Sequence, residues 1–278
     1  MYGEDRPYKE VKYQVEKKYK ESIWRASFGL QKVDNLTPSK YLIELSKKEI
    51  AGEITYEEIK QSLDEYYSSD KNKETEEADR VSLRMGEWLS QPRPFEISTK
   101  RLKLIHGFLF SGIDTFTYPV GKFRTVNISK EEPILNGKSV FYEAYNMLDL
   151  AFEHDLEEEI KKDYFSFSKE EKAKSAMKFI SNIWQIHPFR EGNTRTIAIF
   201  TIDYFRHLGF TLDNTIFEKH SKYFRNALVR DNCQTEYQTF QYLEYFIQNL
   251  LFDKNYDLEK MCLNIQQKSL EDEWEAEI

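Results

Sequence analysis

Apolar residues recur at helical spacing through most of this chain. Ala176, Phe179, Ile180, Ile183 and Trp184 follow an i, i+3, i+4 pattern, and so do Phe240, Leu243, Ile247, Leu250 and Leu251; each set predicts an amphipathic helix. Phe141, Ala144, Tyr145, Leu148, Ala151 and Phe152 read the same way. Between Ile197 and Leu208 the chain is apolar nearly all round, which predicts a central helix buried on most sides, with Gly209 placed to end it in a left-handed cap. Nearer the N-terminus, Tyr41, Leu42, Leu45 and Ile50 share one face of a helix over 40–50, entered through a turn at 35–39 and left at Gly52, and a second short helix is expected over 56–67. One segment departs from the helical period. Residues 123–128 alternate Phe, Val and Ile with Arg, Thr and Asn, the period of a half-buried strand, and Pro133 and the pair Asn136, Gly137 follow as turn signals. A hairpin in an otherwise helical domain implies a local task.

Residues 68–79 are almost wholly polar and read as a linker. The expected organisation is a small helical module over 1–67, the linker, a main domain over 80–252, and a charged C-terminal helix or tail over 253–278. Only 10 glycines and 7 prolines interrupt 278 residues, so an all-α bundle with short connections is the expected fold. With 40% hydrophobic and 15% aromatic residues there is ample material for its core. A net charge of −8 argues against direct nucleic-acid binding, which needs many cations against phosphates. The two cysteines, Cys233 and Cys262, have no metal-binding spacing and point to a reducing compartment. No stretch reaches the roughly 18 apolar residues of a membrane span, and the charged first residues do not resemble a secretory signal. A cytoplasmic protein with no membrane partner is expected.

Chemistry concentrates between the two strongest helical patterns, in His187, Pro188, Phe189, Arg190, Glu191, Gly192, Asn193, Thr194 and Arg195. Pro188 disfavours helix at His187, so one helix ends there and the next begins near Asn193. A helix N-terminus preceded by glycine offers free N–H groups and the positive end of a dipole, an anion site. His187 is the side chain suited to taking a proton near neutral pH. Glu191 is a hard oxygen ligand suited to Mg²⁺ beside phosphates. Asn193 and the backbone of Gly192 and Thr194 can donate to phosphate oxygens, and the guanidiniums of Arg190 and Arg195 add positive charge. Phe189 should pin the loop to the core. His106, His154, His207 and His220 have no partner spacing and read as structural, and 223–230 reads as a packing helix.

This segment resembles the signature of the Fic (filamentation induced by cAMP) family, H-x-F-x-(D/E)-G-N-x-R, at every fixed position through Arg195. Arg124, Thr125, Val126, Asn127, Ile128, Ser129 and Lys130 resemble that family's flap, a hairpin that docks the target, and 106–110 with 121–124 resemble the approach to it. The likeness covers about 77–251. It implies a protein adenylyltransferase that moves AMP from ATP onto a Ser, Thr or Tyr hydroxyl of a target protein. In that reading His187 deprotonates the hydroxyl, Glu191 holds magnesium, Asn193 with the backbone of Gly192 and Thr194 binds the α-phosphate, and Arg195 holds the outer phosphates. The resemblance also admits bacterial toxins that modify ATPase subunits of type II topoisomerases, and relatives that form homodimers.

Two departures matter. Thr194 stands where many such transferases have glycine, and Ala198 where many carry a second arginine for the γ-phosphate. Residues 21–67 resemble the small antitoxin module that accompanies some Fic toxins, carried by 26–31, 36–39 and 51–55. Its inhibitory motif pairs a glutamate with the second arginine; here Ser27 is followed by Gln31 and Lys32, so both charges of that pair are replaced. The expectation is a module that packs on the catalytic domain and restrains it by a neutral contact or by steric cover. Ala198 keeps two alternatives open: a Fic-fold phosphotransferase or other nucleotidyltransferase, and a catalytically weak, antitoxin-like binding protein.

Overall fold

The computed structural model describes residues 16–68, 73–91 and 93–265. Ten α-helices carry the fold: α1 Lys17–Gln31, α2 Lys40–Ala51, α3 Tyr56–Tyr66, α4 Lys73–Ser90, α5 Thr99–Phe110, α6 Leu148–Ile160, α7 Lys169–Ile186, α8 Asn193–His207, α9 Thr215–Asp231 and α10 Gln241–Leu251. Their ends follow local chemistry. Ser39 accepts from the Leu42 N–H at the start of α2, and Gly52 closes that helix at φ +77°. Thr55 with Glu58, and Ser168 with Glu171, form reciprocal capping boxes that open α3 and α7.

Helix α8 runs through the middle of the bundle, buried without interruption from Asn193 to Ile202, with α5 and α7 against it. Its apolar side chains join those of α5, α7, α9 and α10 in one core. A smaller cluster of Trp24, Leu42, Leu45, Ile59 and Leu63 closes the N-terminal helices. Helix α1 belongs to both: Ile23, Ala26 and Leu30 sit in the main core while Trp24 anchors the smaller one. Gly29 lets α1 cross α9 almost backbone on backbone, since a Cβ there would lie 2.2 Å from the Glu218 Cα. Ser221 Oγ donates to the Gly29 carbonyl at that crossing (2.6 Å).

Three segments differ from the sequence expectation. Residues 73–79 are the first turns of α4 rather than linker. Their charges are used locally: Glu76 pairs with Arg80, and Asp79 is buried and bonded to Ser39 and Tyr67. Residues 141–147 approach α6 as an extended stretch and a 3₁₀ turn at Tyr145–Met147, so the helix begins at Leu148. Residues 123–128 form no strand, and no strand occurs among the described residues. Consecutive side chains there both turn inward, which a strand forbids: Phe123 stacks on Phe152 (5.1 Å between centroids), and Arg124 is 4% exposed. The Arg124 guanidinium donates to the carbonyls of Val126, Glu143 and His187, and its N–H to that of Pro188. The expected hairpin flap is therefore an irregular loop braced from within. Of the charged helix or tail expected over 253–278, residues 253–264 form irregular chain with a turn at 258–260, and Leu258, Leu263 and Ile265 are buried; residues 266–278, like residues 1–15, lie outside the described residues.

Candidate active site

His187 caps α7 in the left-handed region (φ 52°, ψ 59°), a turn that Pro188 stops from continuing as helix. Its Nδ1 lies 3.2 Å from the Trp184 carbonyl, so Nδ1 carries the hydrogen and Nε2 keeps its lone pair. The Tyr142 ring stacks on the imidazole with centroids 4.0 Å apart at 22°, and Trp184 meets it edge-on. Burial first, then the carbonyl bond working against it and the nearby charges of Lys130 and Arg124, leave the imidazole pKa pushed down to about 3. The ring is neutral at physiological pH and available as a base.

The loop that follows is fixed by its own residues. Phe189 is 1% exposed and stacks on His106 at 3.9 Å. His106 accepts from the Gly121 N–H at Nδ1 (2.8 Å), so its Nε2–H donates to the Glu191 carbonyl (3.1 Å). Burial pushes its pKa down to about 4, which preserves that tautomer. Asn193 accepts from the Phe189 N–H and donates to the Phe189 carbonyl, closing the loop with both ends of its amide. Gly192 sits at φ +72°, and a Cβ there would meet the Phe110 ring at 2.5 Å, so geometry and space both require glycine.

The first N–H groups of α8 point out of this loop. The first helical bond runs from Thr196 N to the Gly192 carbonyl (3.0 Å), so the N–H groups of Asn193, Thr194 and Arg195 have no intrahelical acceptor. The Thr194 hydroxyl accepts from Trp184 Nε1 (3.1 Å), which keeps the side chain off the anion position. A cavity of about 300 Å³ lies at this helix end, lined by His187, Arg190, Glu191 and Gly192–Thr194, and by Ser129, Lys130, Tyr142 and Arg225 from other segments. Arg225 is paired through both terminal nitrogens with the fully buried carboxylate of Glu132.

Arg195 does not line this cavity. It is 1% exposed, with Nε 2.7 Å from Asp34 Oδ2, Nη2 donating to Glu77 Oε1 (2.7 Å) and Nη1 donating to Gln31 Oε1 (3.1 Å). The Phe110 ring lies under the guanidinium at 4.9 Å. Asp34 is the member of this cluster that faces the cavity. Gln31 thus touches the first arginine of the motif, while Ala198, fully buried, offers nothing to it. Ser27 turns back onto its own helix, donating to the Ile23 carbonyl.

Of the flap-like residues, Arg124 is an internal brace, Ile128, Ser129 and Lys130 reach the cavity, and Thr125, Val126 and Asn127 are exposed. Sequence reasoning missed Asp34, Glu77, Tyr142 and Arg225, which carry no motif and arrive from remote segments. His106 carried one usable signal: a histidine in the segment that precedes Gly121, with a glycine at the point where a ring nitrogen would need an N–H.

The sequence model of the Fic/DOC family matches residues 96–205, a span that holds His106, Gly121, Arg124 and the whole 187–195 loop. A probable protein adenylyltransferase, y4lH, of Sinorhizobium fredii is 44% identical over 63 residues, which are 23% of this chain and 32% of the relative; the chain thus matches about a third of that protein's length. Among solved structures, the N-terminal Fic domain of the Bep8 effector of Bartonella sp. 1-1C superposes with TM-score 0.52 at 18% identity, covering 66% of this chain and 86% of that one. The N-terminal Fic domain of a Bep effector of Bartonella sp. AR 15-3 gives TM-score 0.52 at 16% identity, covering 66% and 83%. Helical architecture, the geometry of the loop and these likenesses agree: residues 96–205 match the Fic/DOC family.

Proposed function

We propose that this chain is a protein adenylyltransferase that transfers AMP from ATP to a hydroxyl of a protein. The observation that carries the reading is the neutral imidazole of His187, with Nε2 unprotonated, beside the free N–H groups of the α8 N-terminus. A base and an anion cradle meet in one cavity. The resemblance to a probable protein adenylyltransferase supports the choice of transferred group.

The hydroxyl oxygen attacks the α-phosphorus while His187 Nε2 takes its proton. A new P–O bond forms, the α–β anhydride bond breaks, and pyrophosphate leaves with the electron pair. The backbone N–H groups of Gly192 to Arg195 face the non-bridging oxygens, where charge grows, in the manner of an oxyanion hole. Asn193 serves by closing the loop that aims them. Glu191 is exposed at the same helix end, and its carboxylate makes no hydrogen bond or ion pair among the described residues. One free carboxylate beside substrate phosphates suits Mg²⁺, and no cluster of three or more His, Cys, Asp or Glu competes for a metal among the described residues. When bound, the ion would neutralise phosphate charge. Residues 128–130 line the cavity, and the flap-like segment 124–130 would pair with an extended target segment.

The N-terminal helices act on this site as a restraint in the same reading. Asp34, supported by Gln31 and Glu77, holds the guanidinium that the outer phosphates need. No helix of the described residues is long and apolar enough to cross a membrane.

Incubation with Mg²⁺ and ATP labelled on the α- or the γ-phosphate, with cell lysate as the source of targets, tests the proposal. α-Label on protein is the expected result, and His187→Ala should abolish it. γ-Label instead would establish phosphate transfer, the alternative that Ala198 favours. If neither label moves, even with Asp34→Ala, the transferase reading fails.

A further inference from the structure

Residues 141–147 run from the buried Val140 to the buried Leu148, and no side chain between them is buried. Phe141 is 71% exposed and Tyr145 46%. Core packing therefore does not explain why this stretch is tied to the end of α7. The Phe141 carbonyl accepts from Gln185, two residues before His187. The Glu143 carbonyl accepts from Arg124, whose guanidinium also donates to the His187 carbonyl (2.9 Å). Between these two anchors stands Tyr142, and its ring lies on the imidazole, with 4.0 Å between centroids at 22°. The phenol hydroxyl does not account for that placement. It is buried with no hydrogen-bond partner among the described residues. Burial first, then the Glu132 carboxylate, push its pKa up, so it stays protonated.

We propose that Tyr142 is a positioning residue for His187: its ring, anchored through Gln185 and Arg124, holds the imidazole in the plane where Nδ1 meets the Trp184 carbonyl and Nε2 is left for the substrate proton. The proposal rests on the reading of His187 as the base. The imidazole has need of such a clamp. It stands past the last turn of α7 at φ 52°. Its ring bond to the Trp184 carbonyl is 3.2 Å long, and the same oxygen also accepts the His187 N–H (3.1 Å), so that bond alone is a weak guide to the ring's tilt. Trp184 meets the ring edge-on at 90° and is itself fixed by its bond to Thr194 Oγ1. One contact on the edge and one on the face leave the imidazole a single plane. The charges about it are Lys130 and Arg124 from the flap-like loop and Arg225 from α9, all of which disfavour a proton there. Glu132 is paired with Arg225, and Glu191 lines the cavity from the catalytic loop. A phenol face favours a cation, but burial is the first cause of the low imidazole pKa, so uncovering the ring should raise it.

The test uses the full chain, with NMR of isotope-labelled histidine beside single-turnover and steady-state transfer from α-labelled ATP. The His187 signal is assigned by its loss in His187→Ala. In the wild type it should show the Nδ1–H tautomer alone and no titration near about pH 6.5. Tyr142→Ala should show both tautomers and a raised imidazole pKa, give transfer an acidic limb, and lower kcat about ten- to hundredfold with KM for ATP unchanged. Tyr142→Phe should restore the wild-type tautomer, pH profile and kcat, because the ring alone acts. If the alanine variant does not fold, Tyr142→Leu, which fills the space without a flat face, carries the tautomer and kcat comparison. A folded Ala or Leu variant with the tautomer and kcat of the wild type, changed only in Tm, would make Tyr142 a packing residue and overturn the proposal. Failure of Tyr142→Phe to restore kcat would overturn it as well. Absence of label from the wild type overturns the base reading and this role with it, whatever the spectra show.

Discussion

Asp34 Oδ2 lies 2.7 Å from Arg195 Nε, so the guanidinium proposed above for the outer phosphates is already held by a carboxylate facing the cavity. Two acids and an amide surround one buried cation. In the proposed reaction ATP would have to replace at least the Asp34 contact to use that cation.

Removing the competing carboxylate should therefore help the nucleotide. Asp34→Ala is expected to lower the Kd of a non-hydrolysable ATP analogue with Mg²⁺ by about tenfold, equivalent to about 1.4 kcal/mol, and to raise AMP transfer. Calorimetric titration measures it, and an unchanged or weaker Kd would assign Asp34 a purely structural role. Glu77→Ala, at 13% side-chain exposure, should instead destabilise the fold by about 1–3 kcal/mol by leaving Arg195 less well paired.

As the proposed base, His187 would set the pH response of catalysis. Its pKa is pushed down to about 3, so the ring stays an unprotonated base where an ordinary imidazole would be protonated. Single-turnover transfer should not fall with a midpoint near 6.5 as the pH is lowered from 8 to 5.5. A clear acidic limb centred near 6.5 would contradict the buried, neutral ring. His187→Ala should reduce the rate about a hundred- to ten-thousandfold with folding retained.

The same two rings link folding to pH. His106 and His187 both have folded pKa values below the unfolded 6.5, so the unfolded chain binds their protons more readily. Their contribution is complete above pH 6.5 and is lost progressively as the pH falls toward about 4 and about 3. Between pH 6.5 and 5 each can cost up to about 2 kcal/mol, at 1.36 kcal/mol per pH unit. The Tm should drop over that interval, and His106→Gln should flatten the drop. Glutamine can still donate to the Glu191 carbonyl but cannot take a proton, whereas His106→Ala should lose transfer as well, because the loop carrying Glu191 is released.

Gly192 tests whether the anion loop needs its shape. Ala at φ +72° is strained, and its Cβ would press on Phe110 at 2.5 Å. Gly192→Ala should cost about 1–3 kcal/mol and most of the activity. Adding Phe110→Ala should relieve the clash yet leave the strain and a cavity, so recovery should be partial. Full recovery would show that space alone, not conformation, selects glycine.

What could be read from sequence follows from distance along the chain. The 187–195 loop is contiguous, so the order His, Pro, Gly, Asn states where one helix stops, where the next starts and which groups meet there. Helices α7, α8 and α10 were legible because each buries a full apolar stripe. The partners of Arg195 were not, since Asp34 and Glu77 stand 161 and 118 residues away in the chain and reach it only through the packing of α1 and α4. Residues 123–128 misled because their alternation comes from a loop whose Arg124 is buried by carbonyl acceptors, a use of arginine that periodicity does not encode. Helix α1 was not separately legible, and its place in the core depends on Gly29, a residue that local propensity counts against a helix.

The crossing at Gly29 decides how the proposed restraint on this chain could be lifted. A segment that shares the hydrophobic interior cannot leave without unravelling what it guards, so release by dissociation is closed to this chain. The short turn that follows α1 carries Asp34 at the surface end of the ion cluster, so displacing that turn alone would free Arg195 while the helix stays in place. On and off states would then differ by the displacement of a few residues, fast and reversible, instead of by the loss of a domain.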